Sequence, residues 1–282
     1  MSAGGRMHFP HLPDWLVYGA AVLALLVAAS GRQGRIDAPP PPPPVTGEEA
    51  LPLDPNLPFG QQEVARLPGR VRESVGTAFS VDDGGRWVTA AHVVQGCRQV
   101  ALMVAEGRGV QARVVIDPAV DLAILTTEGG ASALPLIETA RLRDGQLGFH
   151  PGYPHGEAGE AMSRYLGRDR LPARRRGEAG QEVLAWTESG RTEDVPGSLA
   201  GLSGAPVLDA NGLVVGVTLA EQPRRGRLYS TTPETLKASL AAANAVSTGA
   251  PLGEPVTAEN YYRIADRLRR ELRVAQVVCL AS

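Results

Sequence analysis

The sequence predicts an all-β protein built as two small antiparallel barrels, with helices confined to its C-terminal end. Three observations predict it. The 282 residues include 33 Gly and 23 Pro but only 5% aromatics, a balance that favours many turns between short strands. From about Val71 to Ser230, short apolar runs are broken by Gly, Pro and Asp roughly every ten residues, which suits a sandwich or barrel. Within that stretch, Asp209-Ala210-Asn211-Gly212 ends in Asn-Gly, a strong hairpin-turn pair.

The N-terminus reads differently. Trp15 to Ala29 is an apolar run without charge, preceded by Arg6 and followed by Arg32 and Arg35. Its length lies between a signal-peptide core and a spanning helix, so residues 1–30 are expected to be either a cleaved signal peptide or a membrane anchor. Residues 31–69 follow as a linker. Pro39 to Pro44 hold an extended polyproline II rod, and Pro52, Pro55, Pro58 and Pro68 continue the pattern. Such a stalk would lift a folded domain clear of a membrane surface.

Nine strands are expected in the body of the chain: Val75–Val81, Trp87–Ala90, Val100–Val104, Val110–Ile116, Leu122–Leu125, Gln146–Phe149, Glu182–Thr187, Ala205–Leu208 and Leu213–Leu219. Their number fits two small barrels. Beyond Ser230 the periodicity becomes helical. Thr231-Thr232-Pro233-Glu234 combines a capping Thr, an early Pro and an acidic first turn. A second helix is expected from Thr257 to about Arg273, with Tyr261, Ile264, Ala265, Leu268 and Leu272 on one stripe facing the domain. Residues 70–235 thus form the predicted main domain and 236–282 a helical extension packed on it.

Composition excludes some functions. A hydrophobic content of 43% supports a sizeable core, and a net charge of −2 lacks the basic excess that phosphate backbones attract. Nucleic acid is not an expected partner. His8, His11, His92, His150 and His155 show no paired ligand spacing, so no metal or other cofactor is expected. Cys97 and Cys279 are compatible with one disulfide in an oxidising compartment or with two buried thiols. A bond would staple the C-terminal tail to the domain.

Three motifs carry chemistry. Thr89-Ala90-Ala91-His92 puts a histidine at the end of a strand, Asp121-Leu122-Ala123-Ile124-Leu125 puts a carboxylate at the start of another, and Gly201-Leu202-Ser203-Gly204-Ala205-Pro206-Val207 puts a serine in a glycine-flanked turn. Serine attack on an amide needs a nucleophile, a base, a carboxylate that orients the base, and donors for the oxyanion. These motifs offer all of them. The order also argues against an α/β-hydrolase, whose serine comes first, and Ala205 breaks that fold's elbow pattern.

Together the motifs resemble those of the trypsin-like serine proteases, in the order His, Asp, Ser. The spacings, 29 residues from His92 to Asp121 and 82 from Asp121 to Ser203, are similar to those of compact bacterial members related to the HtrA proteases. The resemblance covers about residues 71 to 235. It implies a chymotrypsin-like pair of six-stranded barrels, a triad of His92, Asp121 and Ser203, and an oxyanion hole made by the amides of Gly201 and Ser203. Gly152-Tyr153-Pro154-His155-Gly156 looks like a Gly-x-Pro-x-Gly segment of bacterial relatives; neither His155 nor His150 is expected to be catalytic.

The departures matter as well. Leu202 stands where digestive members have an Asp, so activation by a freed N-terminus is not implied. Gly197 stands six before the serine, where trypsin itself is acidic, so cleavage after Lys or Arg is not expected. A small or apolar side chain before the scissile bond is expected, with Val217, Thr218 and Leu219 pairing with the substrate backbone. A tail of 47 residues is too short for a PDZ domain. The resemblance implies an endopeptidase of the bacterial cell envelope, either anchored through its N-terminal segment with the protease domain in the periplasm or secreted, acting on proteins or peptides. The alternative is a catalytically silent module that binds peptides or a partner protein in the same groove.

Overall fold

The computed structural model describes residues 58–59, 64–67, 72–138, 141–172, 180–193, 195 and 197–280. Both the apolar segment and the polyproline rod lie outside them. Among the described residues no helix is long and apolar enough to cross a membrane.

The chain begins with strands β1 (Val64–Arg66), β2 (Arg72–Ser80) and β3 (Arg86–Thr89), then a single-turn helix α1 (Ala91–Val94) and strands β4 (Gln99–Ala105), β5 (Arg108–Ile116) and β6 (Ala123–Thr126). It continues through β7 (Leu147–Gly152), β8 (Gly159–Leu171), β9 (Gln181–Arg191), β10 (Pro206–Leu208), β11 (Val214–Gln222) and β12 (Arg227–Thr231). Helices α2 (Pro233–Ala242) and α3 (Tyr261–Arg270) and a last strand, β13 (Val274–Leu280), complete it.

Two closed barrels result. In the first the order is β5-β4-β13-β2-β3-β6, closed by pairing of β6 with β5, and β1 lies against the outer side of the β5 edge. In the second it is β10-β11-β12-β9-β8-β7. Closure removes the unpaired edges that a half-buried sheet would otherwise expose. Phe79, Trp87, Leu102 and Leu125 fill the first barrel; Leu184, Trp186, Leu202 and Leu208 are fully buried in the second half.

All nine expected strands form, and three long or central ones were not anticipated: β8, β12 and β13. Strand β8 is Arg-rich and reads as polar, yet its alternate residues Ala161, Ser163 and Tyr165 face inward. Strand β13 is the larger departure, because no strand is expected beyond residue 235. It lies between β2 and β4, pairing Val274 with Phe79 and Val277 with Leu102, and every one of its residues is buried. The C-terminal segment is therefore structural to the first barrel as well as helical.

Helix α2 starts where expected, with Thr232 accepting the Thr235 amide at 3.1 Å as its cap. Helix α3 buries Tyr261, Ile264, Ala265 and Leu268 of the expected stripe; it ends at Arg270, short of the expected end, so Leu272, also buried, lies past it at φ +54°. Arg269 at its end is buried, ion-paired with Glu160 of β8 at 2.9 Å and donating to the carbonyl of Gly159 at 3.0 Å. Cys97, just after α1, is disulfide-bonded to Cys279 of β13, with Cα atoms 5.3 Å apart.

Candidate active site

His92 is held on α1, where the chain turns off strand β3. Two bonds from one carboxylate fix it: Asp121 Oδ1 accepts the His92 amide at 3.0 Å and Oδ2 lies 2.8 Å from ring Nδ1. Asp121 sits two residues before the start of β6, which pairs with β3 at Thr89 and Ala123, so the barrel's own register brings carboxylate and imidazole together. Only 6% of the Asp121 side chain is exposed, against 35% for His92. A carboxylate acceptor at Nδ1 selects the tautomer that carries its proton there, which leaves Nε2 as the ring's basic nitrogen.

Ser203 comes from the second barrel. Its carbonyl accepts the Thr77 amide at 2.9 Å, its hydroxyl lies 3.5 Å from the Leu219 carbonyl, and Gly204 donates to Thr218 at 2.8 Å. These contacts seat the serine turn on β2, beside the strand end that leads into His92. Gly204 shows how close the approach is: it has φ +90°, and a Cβ there would stand 2.0 Å from the Thr77 carbonyl and 3.1 Å from the Ala90 nitrogen. No other residue fits.

Gly201 has φ +98°, and a Cβ would meet the Tyr153 carbonyl at 2.4 Å. Its carbonyl accepts from Thr77 Oγ1 at 2.9 Å, while the Gly201 amide shares its peptide with the Ala200 carbonyl, which is held separately. Among the described residues neither the Gly201 nor the Ser203 amide donates a hydrogen bond. Two unengaged N–H groups flanking one serine are what a developing oxyanion requires. The backing is supplied by the 152–156 segment, where the His155 amide donates to the Ala200 carbonyl at 2.5 Å and ring Nε2 lies 2.6 Å from the Ser198 carbonyl. His155 thus supports the turn. His150 is fully buried in the second barrel, its ring nitrogens on Thr218 Oγ1 at 2.9 Å and Ser163 Oγ at 2.7 Å. Burial without a counter-charge pushes its pKa down to about 3.

A cavity of about 250 Å³ opens beside Ser203, walled by Leu199, Ala200, Leu202, Thr218, Ala220, Glu221 and Leu228 among others. Of the four residues expected to bind substrate, Thr218 lines this cavity and Leu219 touches the serine. Gly197 and Val217 are not among its lining residues. Gly197 is held by Arg191 through its carbonyl at 2.8 Å, and Val217, fully buried, pairs with Pro206. Not anticipated was Glu221, whose residue type at a strand end gives no hint of a pocket. No group of three or more His, Cys, Asp or Glu able to hold a metal occurs among the described residues.

Paired six-stranded barrels with a histidine–aspartate pair on one and a glycine-flanked serine on the other define the chymotrypsin-like class of fold. The chain belongs to the trypsin-like peptidase domain family, whose model matches residues 76–217. It is 31% identical over 181 residues to a protein of Synechocystis sp. named as the serine protease HhoA, covering 59% of this chain and 44% of that protein. To a second, HhoB, it is 27% identical over 167 residues, covering 57% of this chain and 38% of the other. The chain thus spans less than half the length of these curated relatives. Among solved structures, the active form of the Rv3671c protease of M. tuberculosis matches with a TM-score of 0.53 at 26% identity, over 66% of this chain and 83% of that one. An inactive form of the same protease, at 24% identity and a TM-score of 0.52 over 62% of this chain and 84% of that one, shares the fold.

Proposed function

We propose that the chain is a serine endopeptidase of the bacterial cell envelope. Ser203 attacks the scissile carbonyl, His92 takes the hydroxyl proton at Nε2 and returns it to the leaving amine, and Asp121 holds the imidazole and offsets its charge. The Gly201 and Ser203 amides receive the oxyanion, and water then resolves the acyl-enzyme. The apolar segment Trp15 to Ala29 either anchors the domain or directs its secretion, and protein or peptide chains are the substrates. The observation that carries this reading is the doubly bonded His92–Asp121 pair in the same fold as a serine whose flanking amides are unengaged. Names of serine proteases among the relatives support it.

The test is labelling by a fluorophosphonate probe. Wild type is expected to be labelled and Ser203→Ala not. A wild type that stays unlabelled would instead favour a silent peptide-binding module. A periplasmic reporter fused after Pro44 checks export, and inactivity of the reporter would overturn the envelope location.

A further inference from the structure

The cavity beside Ser203 is smaller than the roughly 300–1,000 Å³ of sites that enclose whole small-molecule ligands. It is suited to a single side chain. Its walls are mostly apolar, through Leu199, Leu202 and Leu228, but one wall is Glu221. Only 12% of that side chain is exposed. Burying a carboxylate is costly unless it is paired and hydrogen-bonded, so its partners decide what the cavity accepts.

Those partners are incomplete. Glu221 Oε2 accepts the Leu199 amide at 2.6 Å. Oε1 is buried and has no hydrogen-bond partner. The nearest cation, Arg191, places Nη2 3.8 Å from Oε1, a loose ion pair too long for a hydrogen bond. Arg191 is committed elsewhere: its Nε and Nη2 form a two-point pair with Glu188, each at 2.5 Å, and its Nη1 donates to the Gly197 carbonyl. Two glutamates therefore share one arginine, and Glu188, Glu221 and Arg191 together have a formal charge of −1 at the cavity wall. Arg224 and Arg225, which follow β11, are exposed to solvent, where their charge is screened.

Building on the protease reading, we propose that Glu221 selects a basic side chain, Lys or Arg, at the substrate residue preceding the scissile bond. The aliphatic stem would pack on Leu199, Leu202 and Leu228. The ammonium or guanidinium would supply the donor and the charge that the half-paired carboxylate lacks, with a small turn of the Glu221 side chain bringing Oε1 to the cavity surface. This replaces the small or apolar preference inferred from Gly197, because the acidic group reaches the cavity from β11 and not from the position six before the serine.

Internally quenched peptides differing only at that residue (Lys, Arg, Gln, Leu, Ala) test it with wild type and Glu221→Gln, a change that keeps an acceptor for the Leu199 amide. Wild type is expected to show kcat/KM at least about tenfold higher for Lys or Arg than for Leu, and E221Q to lower that ratio about 100-fold, the scale of losing one buried charge pair. A wild-type preference for Leu, Ala or Gln overturns the proposal while leaving the protease reading intact. Benzamidine, an amidinium probe, separates the two readings, since its binding by calorimetry requires no turnover. If no peptide is cut but benzamidine binds, and at least about tenfold more weakly to E221Q, the cavity's preference stands and the protease reading falls. Wild type that does not bind benzamidine overturns the proposal, and that measurement holds even if E221Q fails to fold.

Discussion

Thr77 Oγ1 donates a hydrogen bond to the carbonyl of Gly201 at 2.9 Å, joining residues 124 apart in sequence. The same oxygen accepts the Tyr153 amide at 3.0 Å, and the Thr77 backbone amide holds the Ser203 carbonyl at 2.9 Å. One buried residue of the first barrel therefore sets the orientation of the serine turn that belongs to the second.

Replacing Thr77 with Val keeps the shape but strips both bonds, leaving the Gly201 carbonyl and Tyr153 amide unsatisfied. That should cost roughly 1–3 kcal/mol, read by urea denaturation. Fluorophosphonate labelling should slow at least about tenfold, since the released Gly201–Leu202 peptide loosens the turn that positions Ser203 and its proposed oxyanion donors. Thr77→Ser should recover both measurements. Unchanged labelling in T77V would remove the residue from the supporting network.

Asp121→Asn tests the histidine's partner. An amide can present its N–H to Nδ1 and so hold the wrong tautomer, and kcat for a peptide substrate should fall on the order of 10⁴-fold. Stability should change little, as the His92 amide keeps an acceptor. A loss below about tenfold would argue against the assigned role.

Arg269 ties the C-terminal helix to the second barrel through a buried pair with Glu160. Arg269→Met leaves that carboxylate buried without its cation and should destabilise by about 3–5 kcal/mol, measured by denaturant unfolding. The double change Arg269→Met with Glu160→Met should recover most of the loss, because it removes both charges.

His150 predicts a pH dependence. Its pKa in the fold is lowered to about 3 from 6.5, so between those values the unfolded chain binds a proton that the folded chain does not. Stability from this residue is complete above about pH 6.5 and is lost as pH falls towards 3, by an amount on the order of a few kcal/mol. Denaturation at pH 7, 5.5 and 4.5 should show this slope in wild type and a flatter one in His150→Asn. Equal slopes would contradict the neutral, buried imidazole.

The Cys97–Cys279 bond closes a loop spanning 182 residues. Changing both to Ala should cost about 2–5 kcal/mol, seen as a lower thermal midpoint that reducing agent does not lower further. Since the bond clips β13 beside β4, the first barrel should be the part whose amide exchange rises most.

What was legible in the sequence was local. Strand β3 followed by His92, Asp121 before β6, and Ser203 between glycines could each be read from a few neighbouring residues, because alternation and turn chemistry act over short spans. The α2 cap and the apolar stripe of α3 were equally readable. Strand β13 was not: its short apolar run suits a buried helix end as well as a strand, and its register with Phe79 exists only once the barrel closes. Glu221 had no sequence mark either, since a glutamate at a strand end comes to line a cavity only once Leu199 and Leu228 stand beside it. By itself the sequence determined the all-β class and three candidate catalytic residues. Tertiary structure alone decided that the C-terminus completes the first barrel, that Thr77 braces the serine turn, and that a half-paired carboxylate lines the cavity. The physical reason is that strand pairing and burial couple residues far apart in the chain, and the energy of each such contact depends on which distant surfaces are already in place.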